Sequence, residues 1–246
     1  MEATDRVCLV TGGNRGIGRE VARQLAQKGM RVFVGSRDLE AGRTAARELS
    51  TAAGQVTSVR LDVCEPASPD RAVEEVAEQA GRLDVLVNNA GSIIESTAAE
   101  TSAAVLREVF ETNVFGCAEM IRVALPLLRQ SSWPRIVNVS STTGSLGLTA
   151  AGADFGGPAD QRLAYATSKA ALNMLTIQYH RAFQHDQSLR HVKINSATPG
   201  YTATDLNRHR GTRTVEQGAQ IIVRLALLDD SGPSGGFFND TGPVDW

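Results

Sequence analysis

Short apolar runs rich in β-branched residues alternate with longer segments of helical period along the whole chain. That alternation leaves few folds open. The runs fall at 7–10, 32–34, 56–61, 85–87, 136–139 and 192–194, and the periodic segments at 16–28, 39–49, 71–79, 103–129, 166–182 and 215–228. In the first of these segments Ile17, Val21 and Leu25 recur at i, i+4 and i+8, one apolar stripe of a helix. The runs are apolar on both faces, as in a parallel sheet covered by helices on each side. Strand–helix alternation of this kind predicts right-handed βαβ units and an α/β, doubly wound parallel sheet. A length of 246 residues suits one such domain over 1–246 and buries enough surface to need no disulfide or metal staple.

Composition narrows the classes of function. There are 25 Lys+Arg against 27 Asp+Glu, a net charge of −2, so no basic face is available for nucleic acid. No stretch approaches the 18 apolar residues of a membrane-spanning helix, and the first residues lack the pattern of a signal peptide. The three cysteines, Cys8, Cys64 and Cys117, are odd in number and far apart. They suit buried thiols in a reducing compartment, hence a cytoplasmic protein, and neither a disulfide framework nor a metal site. Only Lys28, Lys169 and Lys193 of the 25 basic residues are lysine, so a lysine in a motif is a marked choice. Two stretches break the alternation. One is 145–162, rich in Gly and Ala, longer than an ordinary strand–helix connection and expected to be a mobile lid over a substrate. The other is the arginine-rich loop 201–213.

The first run ends in Thr11-Gly12-Gly13-Asn14-Arg15-Gly16-Ile17-Gly18 and leads straight into a helix. Glycines at 12, 16 and 18 permit a tight turn, a close approach of the backbone to a ligand, and close helix–strand packing. The helix start then offers N–H groups to a pyrophosphate, the arrangement of a Rossmann fold. A plain tight turn explains the glycines equally well when they are taken alone. The second run ends Ser36-Arg37, where an acid would bind the ribose 2′-hydroxyl of NAD. With that acid missing, and Arg37 and Arg15 placed to meet a 2′-phosphate, the cofactor reads as NADP(H). Leu61, Asp62 and Val63 after the third run are candidates to flank an adenine, although an acid there is often a helix cap. Asn88, Asn89, Ala90 and Gly91 after the fourth run sit at the carboxyl edge of the sheet.

Tyr165 and Lys169 open a helix four residues apart, so their side chains share a face. A phenol near pKa ~10 is a poor acid–base group at neutral pH, and a neighbouring ammonium is expected to pull it down. Ser140 and Ser141 end the fifth run, followed by Thr142-Thr143-Gly144, and place a hydroxyl where a carbonyl oxygen could be held. Asn113 interrupts the long helical segment and is a candidate to bond a water leading to Lys169.

Taken together, Thr11 to Gly18, Asn88 to Gly91, Asn113, Ser141-Thr142-Thr143-Gly144, Tyr165 with Lys169, and Pro199-Gly200 stand in the order that resembles the short-chain dehydrogenases/reductases, over essentially the whole chain. The resemblance implies Tyr165 as the acid–base residue, Ser141 as the residue orienting the substrate, and Lys169 as the partner of the nicotinamide ribose. Asn113 supports proton relay. By the same resemblance Asn89, Ala90 and Gly91 line the cofactor, and Pro199, Gly200, Thr202 and Thr204 surround its carboxamide and pyrophosphate. Gly12 to Gly16, Ser36-Arg37-Asp38 and the ending Gly235-Gly236-Phe237-Phe238 look like NADPH-dependent carbonyl reductases. Ser141 and Tyr165 are 24 apart, a longer spacing than is usual in the family. The extra residues fall in 145–162, which implies a monomer or dimer in place of the common tetramer. The expected activity is reduction of a ketone or aldehyde to an alcohol with NADPH. The same residues would oxidise a secondary alcohol under a reversed cofactor ratio. A non-catalytic NADP-sensing protein would be expected to have lost part of the Tyr/Lys/Ser set, and all three residues are present.

Overall fold

The carboxyl ends of seven parallel strands form one edge, and the glycine loop, Asn89 to Gly91 and Ser141 follow directly from it. The computed structural model describes residues 6–51 and 54–246. The strands are β1 (Val7–Thr11), β2 (Arg31–Ser36), β3 (Val56–Arg60), β4 (Val85–Asn88), β5 (Arg135–Val139), β6 (Lys193–Ala197) and β7 (Phe237–Phe238). Their order is β3-β2-β1-β4-β5-β6-β7, so the winding reverses between β1 and β4. In a doubly wound sheet a ligand crevice opens at that reversal. Six strands match the apolar runs. The seventh has two residues and no periodic signature, and pairs Ser196 with Phe237 on the far edge.

The helices are α1 (Gly16–Gln27), α2 (Leu39–Leu49), α3 (Ser68–Ala80), α4 (Ala103–Phe110), α5 (Gly116–Gln130), α6 (Leu146–Ala150), α7 (Leu163–His185) and α8 (Val215–Ala226). Alternate strand residues point to opposite faces and build two cores. Cys8, Val10, Val32, Val34 and Val87 pack against Val21 and Leu25 of α1 and Ile222 of α8. Leu9, Phe33, Leu86 and Ile136 pack against Val76 of α3, Met120 and Ile121 of α5, and Leu172 of α7. Burial on both faces is what the continuous apolar runs imply. Among the described residues no helix is long and apolar enough to cross a membrane.

The segment expected as one helix over 103–129 is divided. A π-helical turn, Glu111–Phe115, separates α4 from α5. The widened turn carries Asn113 inward until it is 1% exposed. Gly116 follows because a Cβ there would lie 2.7 Å from Val63 Cγ2, tight against the loop after β3.

Candidate active site

The glycine loop is held by β4. The Thr11 hydroxyl accepts the backbone N–H groups of Asn89 and Ala90, both at 2.9 Å. The Asn89 side-chain amide donates to the Thr11 and Gly12 carbonyls at 2.9 and 3.1 Å. Gly18 exists for the same contact, since a Cβ there would lie 2.3 Å from Asn89 Nδ2. Gly12 and Gly16 take left-handed φ values of 61° and 55°, where glycine is unstrained. Asn89 thus shapes the loop with its side chain, and Thr11, which the motif reading passed over, is the anchor it uses.

Beside this loop a cleft of about 500 Å³ follows the edge of the sheet. Gly12, Asn14, Arg15, Gly16 and Ile17 line it, together with Ser36 and Arg37. Leu61, Asp62, Val63, Asn89, Ala90 and Gly91 line it as well, as do Tyr165, Lys169, Pro199 and Thr204. Gly18, Gly200 and Thr202 do not line it. The Thr202 hydroxyl donates to Pro199 O at 3.0 Å and shapes the loop after β6. Gly200 turns that loop at a φ of 70°. Asp62 accepts the Cys64 N–H at 3.0 Å, a turn bond that leaves its carboxylate at the cleft wall.

The donors in this cleft fit a pyrophosphate dinucleotide. No side chain caps the start of α1 and no acid stands in its first turn, so its N–H groups face the cleft unneutralised. The Ser36 hydroxyl donates to Asp38 O at 2.6 Å. Asp38 Oδ1 accepts from Glu40 N and Ala41 N as the cap of α2, so the nearest carboxylate is engaged in structure. Arg37 makes no hydrogen bond or ion pair among the described residues. Arg15 lies 3.6 Å from the Asp205 carboxylate, both side chains exposed.

At the end of β5, Ser141 caps a 3-10 turn, Thr142–Gly144, and accepts from Thr143 N and Oγ1 at 3.3 and 3.0 Å. Its neighbour Ser140 is buried and donates to Lys169 O at 3.4 Å. Only Ser141 of the two reaches the adjoining cavity that Tyr165 also lines. Tyr165 lies in the first turn of α7, one turn before Lys169. Lys169 is buried, its ammonium donating to Val139 O at 2.8 Å and lying 5.5 Å from the Tyr165 ring centre. Burial pushes the phenol up to about 12, with the facing Ser141 hydroxyl pulling the other way. Burial also draws the Lys169 ammonium down to about 8. The expected depression of the phenol by Lys169 is therefore absent from the protein alone. Loss of water at the ring outweighs the Ser141 hydrogen bond, and the Lys169 ammonium is committed to a backbone carbonyl. Asn113 is fixed by three hydrogen bonds. Its Oδ1 accepts Ser92 N at 2.8 Å, and its Nδ2 donates to Ser92 O and Ser168 Oγ, each at 2.9 Å. The side chain ties the loop after β4 to α7 beside Lys169.

The adjoining cavity encloses about 130 Å³. It shares Ile17, Tyr165, Pro199, Thr204 and Leu206 with the cleft. Ile93, Phe155, Pro158 and Tyr201 supply its apolar walls, and Ser141 opens onto it. The segment 145–162, expected as a mobile lid over a substrate, carries α6 at one end and a 3-10 turn, Ala159–Gln161, at the other, and Phe155, Pro158 and Arg162 from it line the cavity. Ser145 Oγ caps α6, Trp246 O accepts Gly147 N at 3.0 Å, and Arg162 takes up the carbonyls of the glycine turn. Composition does not show these bonds, since they end on backbone groups. The arginine-rich loop is likewise folded, with Arg210 paired to Glu95 and Arg213 to Asp240. No cluster of acidic, His or Cys side chains among the described residues could hold a metal.

This geometry has relatives. The profile of the family described as short chain dehydrogenase matches residues 6–214. The chain is 36% identical to a (+)-neomenthol dehydrogenase of Arabidopsis thaliana, covering 97% of each protein. Salutaridine reductase from Papaver somniferum superposes with a TM-score of 0.78 at 30% identity, over 96% of this chain and 99% of that one. The NADPH-bound carbonyl reductase from chicken fatty liver gives 0.82 at 29% identity, over 98% and 99%.

Proposed function

The chain belongs to the short-chain dehydrogenase/reductase family, and from that premise we propose that it reduces a ketone or aldehyde to an alcohol with NADPH. One observation carries the reading: Tyr165 stands where the dinucleotide cleft and the smaller cavity meet, lining both. A carbonyl compound in the small cavity and a nicotinamide in the cleft would meet at that phenol. Arg37, Arg15 and the open start of α1 would hold the 2′-phosphate and pyrophosphate. Lys169 would hold the ribose beside the ring. When bound, the reduced nicotinamide supplies the hydride that reduces the carbonyl carbon. Ser141 and Tyr165 both donate to the carbonyl oxygen, and Tyr165 gives up its proton as the alcohol forms.

The raised phenol suits that direction. A group held near 12 keeps its proton throughout the physiological range and is available as a donor. Once a carbonyl has taken that proton, the Lys169 ammonium is the nearest cation to the phenolate and stabilises it. Asn113 keeps the loop after β4 and α7 in register, so Lys169 and Gly91 face the same end of the cleft. Binding a small molecule in this way needs no nucleic acid, membrane or metal. The free cysteines suit the cytoplasm. A native mass of one or two 26.2 kDa chains is expected, because 145–162 lies beside α7, and light scattering measures it. The central test is a panel of carbonyl compounds followed at the nicotinamide absorbance band. Tyr165→Phe should lower turnover by at least ~10²-fold while NADPH binding persists. A Tyr165→Phe protein with wild-type turnover, or a wild type that oxidises alcohols with NADP but reduces no carbonyl, overturns the proposal.

A further inference from the structure

Charged side chains stand around the smaller cavity, and all of them are already engaged. The Glu95 carboxylate pairs with Arg210 at its mouth. Arg210 Nε also donates to Asn207 O at 3.0 Å. Arg162 has no carboxylate partner among the described residues. Its Nη2 donates to Gly156 O and Gly157 O, each at 3.0 Å, and its Nε donates to Pro158 O at 3.2 Å. One guanidinium thus gathers three consecutive carbonyls, a geometry its planar fork of donors allows and an ammonium does not. The same group lies 5.9 Å from the centre of the Phe155 ring.

The turn that Arg162 gathers has a second support. Gly156 and Gly157 take left-handed φ values of 71° and 69°. Cβ atoms there would lie 2.9 Å from the Tyr201 ring and 3.1 Å from its hydroxyl. The two glycines therefore lie flat against Tyr201, on the loop after β6, with Phe155 and Pro158 turned toward the cavity. A turn with two consecutive glycines is costly to order, and the half-buried Phe155 and Pro158 that flank them are its only apolar side chains. Removing the guanidinium would leave three carbonyls without their donor and release the wall.

We propose that Arg162 is a specificity-determining positioning residue: it fixes the 156–158 turn against Tyr201, sets the width of the carbonyl pocket, and so selects compact, uncharged, apolar carbonyl compounds. The substrate class follows from the same bonds. An anionic substrate needs an available cation, and the Arg162 and Arg210 guanidinium groups are committed while Glu95 stands at the mouth. Ser141 and Tyr165 offer hydroxyl donors only. This inference rests on the reductase reading, and its test separates the two.

The full chain and its Arg162→Ala, Arg162→Lys and Tyr201→Ala variants are compared by hydrogen–deuterium exchange and by NADPH-dependent reduction of cyclohexanone, benzophenone and pyruvate. Wild type should protect amides of 153–162 and favour cyclohexanone over pyruvate by about a hundredfold in kcat/KM. Arg162→Ala should lose that protection and raise the KM for cyclohexanone about tenfold with a smaller change in kcat. The benzophenone-to-cyclohexanone ratio of kcat/KM should rise about tenfold, with NADPH affinity held. Arg162→Lys should recover only part of the loss. Tyr201→Ala should shift the same ratio in the same direction, which keeps the test open if Arg162→Ala folds poorly. Unchanged protection, or an equal fall on all substrates together with weaker NADPH binding, overturns the positioning role. A preference for pyruvate overturns the substrate class. A wild type that binds NADPH but reduces none of the three defeats the reductase reading, and exchange at 153–162 in Arg162→Ala then decides the clasp alone.

Discussion

Arg37→Ala is the sharpest probe of the cofactor assignment, because Arg37 lines the cleft and would meet only a dinucleotide that carries a 2′-phosphate. Arg37 has no competing partner among the described residues, so its loss is not offset by releasing an internal ion pair. One charge-assisted hydrogen bond is worth ~1.5–3 kcal/mol, and about 1.4 kcal/mol is tenfold in affinity. NADPH binding should weaken by about one to two decades. NADH has no 2′-phosphate, and its affinity should stay within about twofold. Arg15→Ala should cost less than Arg37→Ala, since Arg15 already sits 3.6 Å from the Asp205 carboxylate and is partly neutralised before any ligand arrives. Exposed charges are screened over about 8 Å at physiological salt. The Arg37 effect should therefore shrink in high salt, and the variant should show a shallower salt dependence than wild type. Fluorescence titration with both dinucleotides, at two salt concentrations, measures all four numbers. Tighter binding of NADH than NADPH by wild type, or equal losses for both dinucleotides in Arg37→Ala, would refute the reasoning.

Other expectations concern the reaction set and its support. Ser141→Ala should lower turnover by about a hundredfold, while Ser140→Ala, which loses one long buried bond to Lys169 O, should change turnover little and stability by about 1 kcal/mol; steady-state kinetics with urea unfolding ranks them. Gly144→Ala should destabilise by about 1–3 kcal/mol and reduce turnover together, because its Cβ would lie 2.6 Å from the Lys169 carbonyl carbon. Stability in the absence of cofactor should respond to alkali in two opposite ways. Lys169 sits near 8 in the fold against 10.5 unfolded, so its contribution rises as pH climbs from 8 to 10.5. Tyr165 sits near 12 against 10, so its contribution is lost as pH climbs from 10 to 12. Urea midpoints across that range should flatten in the lower window for Lys169→Met and in the upper window for Tyr165→Phe.

What was legible in the sequence follows from range. Strand runs, amphipathic helices and the glycine loop are local patterns, and each of the six longer strands stands on its apolar run. The loop at 12–18 was readable because three glycines meet three local demands, and the absent acid after β2 needed only the end of the second run. The π turn at 111–115 left no such mark. Its cause is distant: Val63 presses on Gly116, and Asn113 must reach Ser92 and Ser168. The two-residue β7 is too short to show a period. The clasp of 145–162 was missed for a different reason. Arg162 bonds backbone carbonyls four to six residues earlier, and carbonyls carry no sequence identity. Composition alone therefore showed the segment but not the bonds that hold it.

The spacing of the serine motif has a physical origin that joins fold to chemistry. Ser141, Thr142, Thr143 and Gly144 make one 3-10 turn whose last residue lies against the α7 backbone at Lys169 and Ala170. Any side chain at 144 would push the turn away from the helix that carries Tyr165. The Asn173 side chain donates to Gly144 O at 3.3 Å from the same helix, and Ser140 reaches Lys169 O from the strand end. Thr198, on the neighbouring β6 edge, accepts Thr142 N at 3.2 Å and fixes the other side of the turn. The Ser141 hydroxyl and the Tyr165 phenol are thus borne by two elements that meet closely at Gly144 and are tied by the buried Asn173 and Ser140 side chains. A small error in that contact would misplace both donors on one carbonyl oxygen, which is costly to a reaction that depends on their common alignment. The glycine is demanded by the distance between two hydroxyl groups that it does not itself touch.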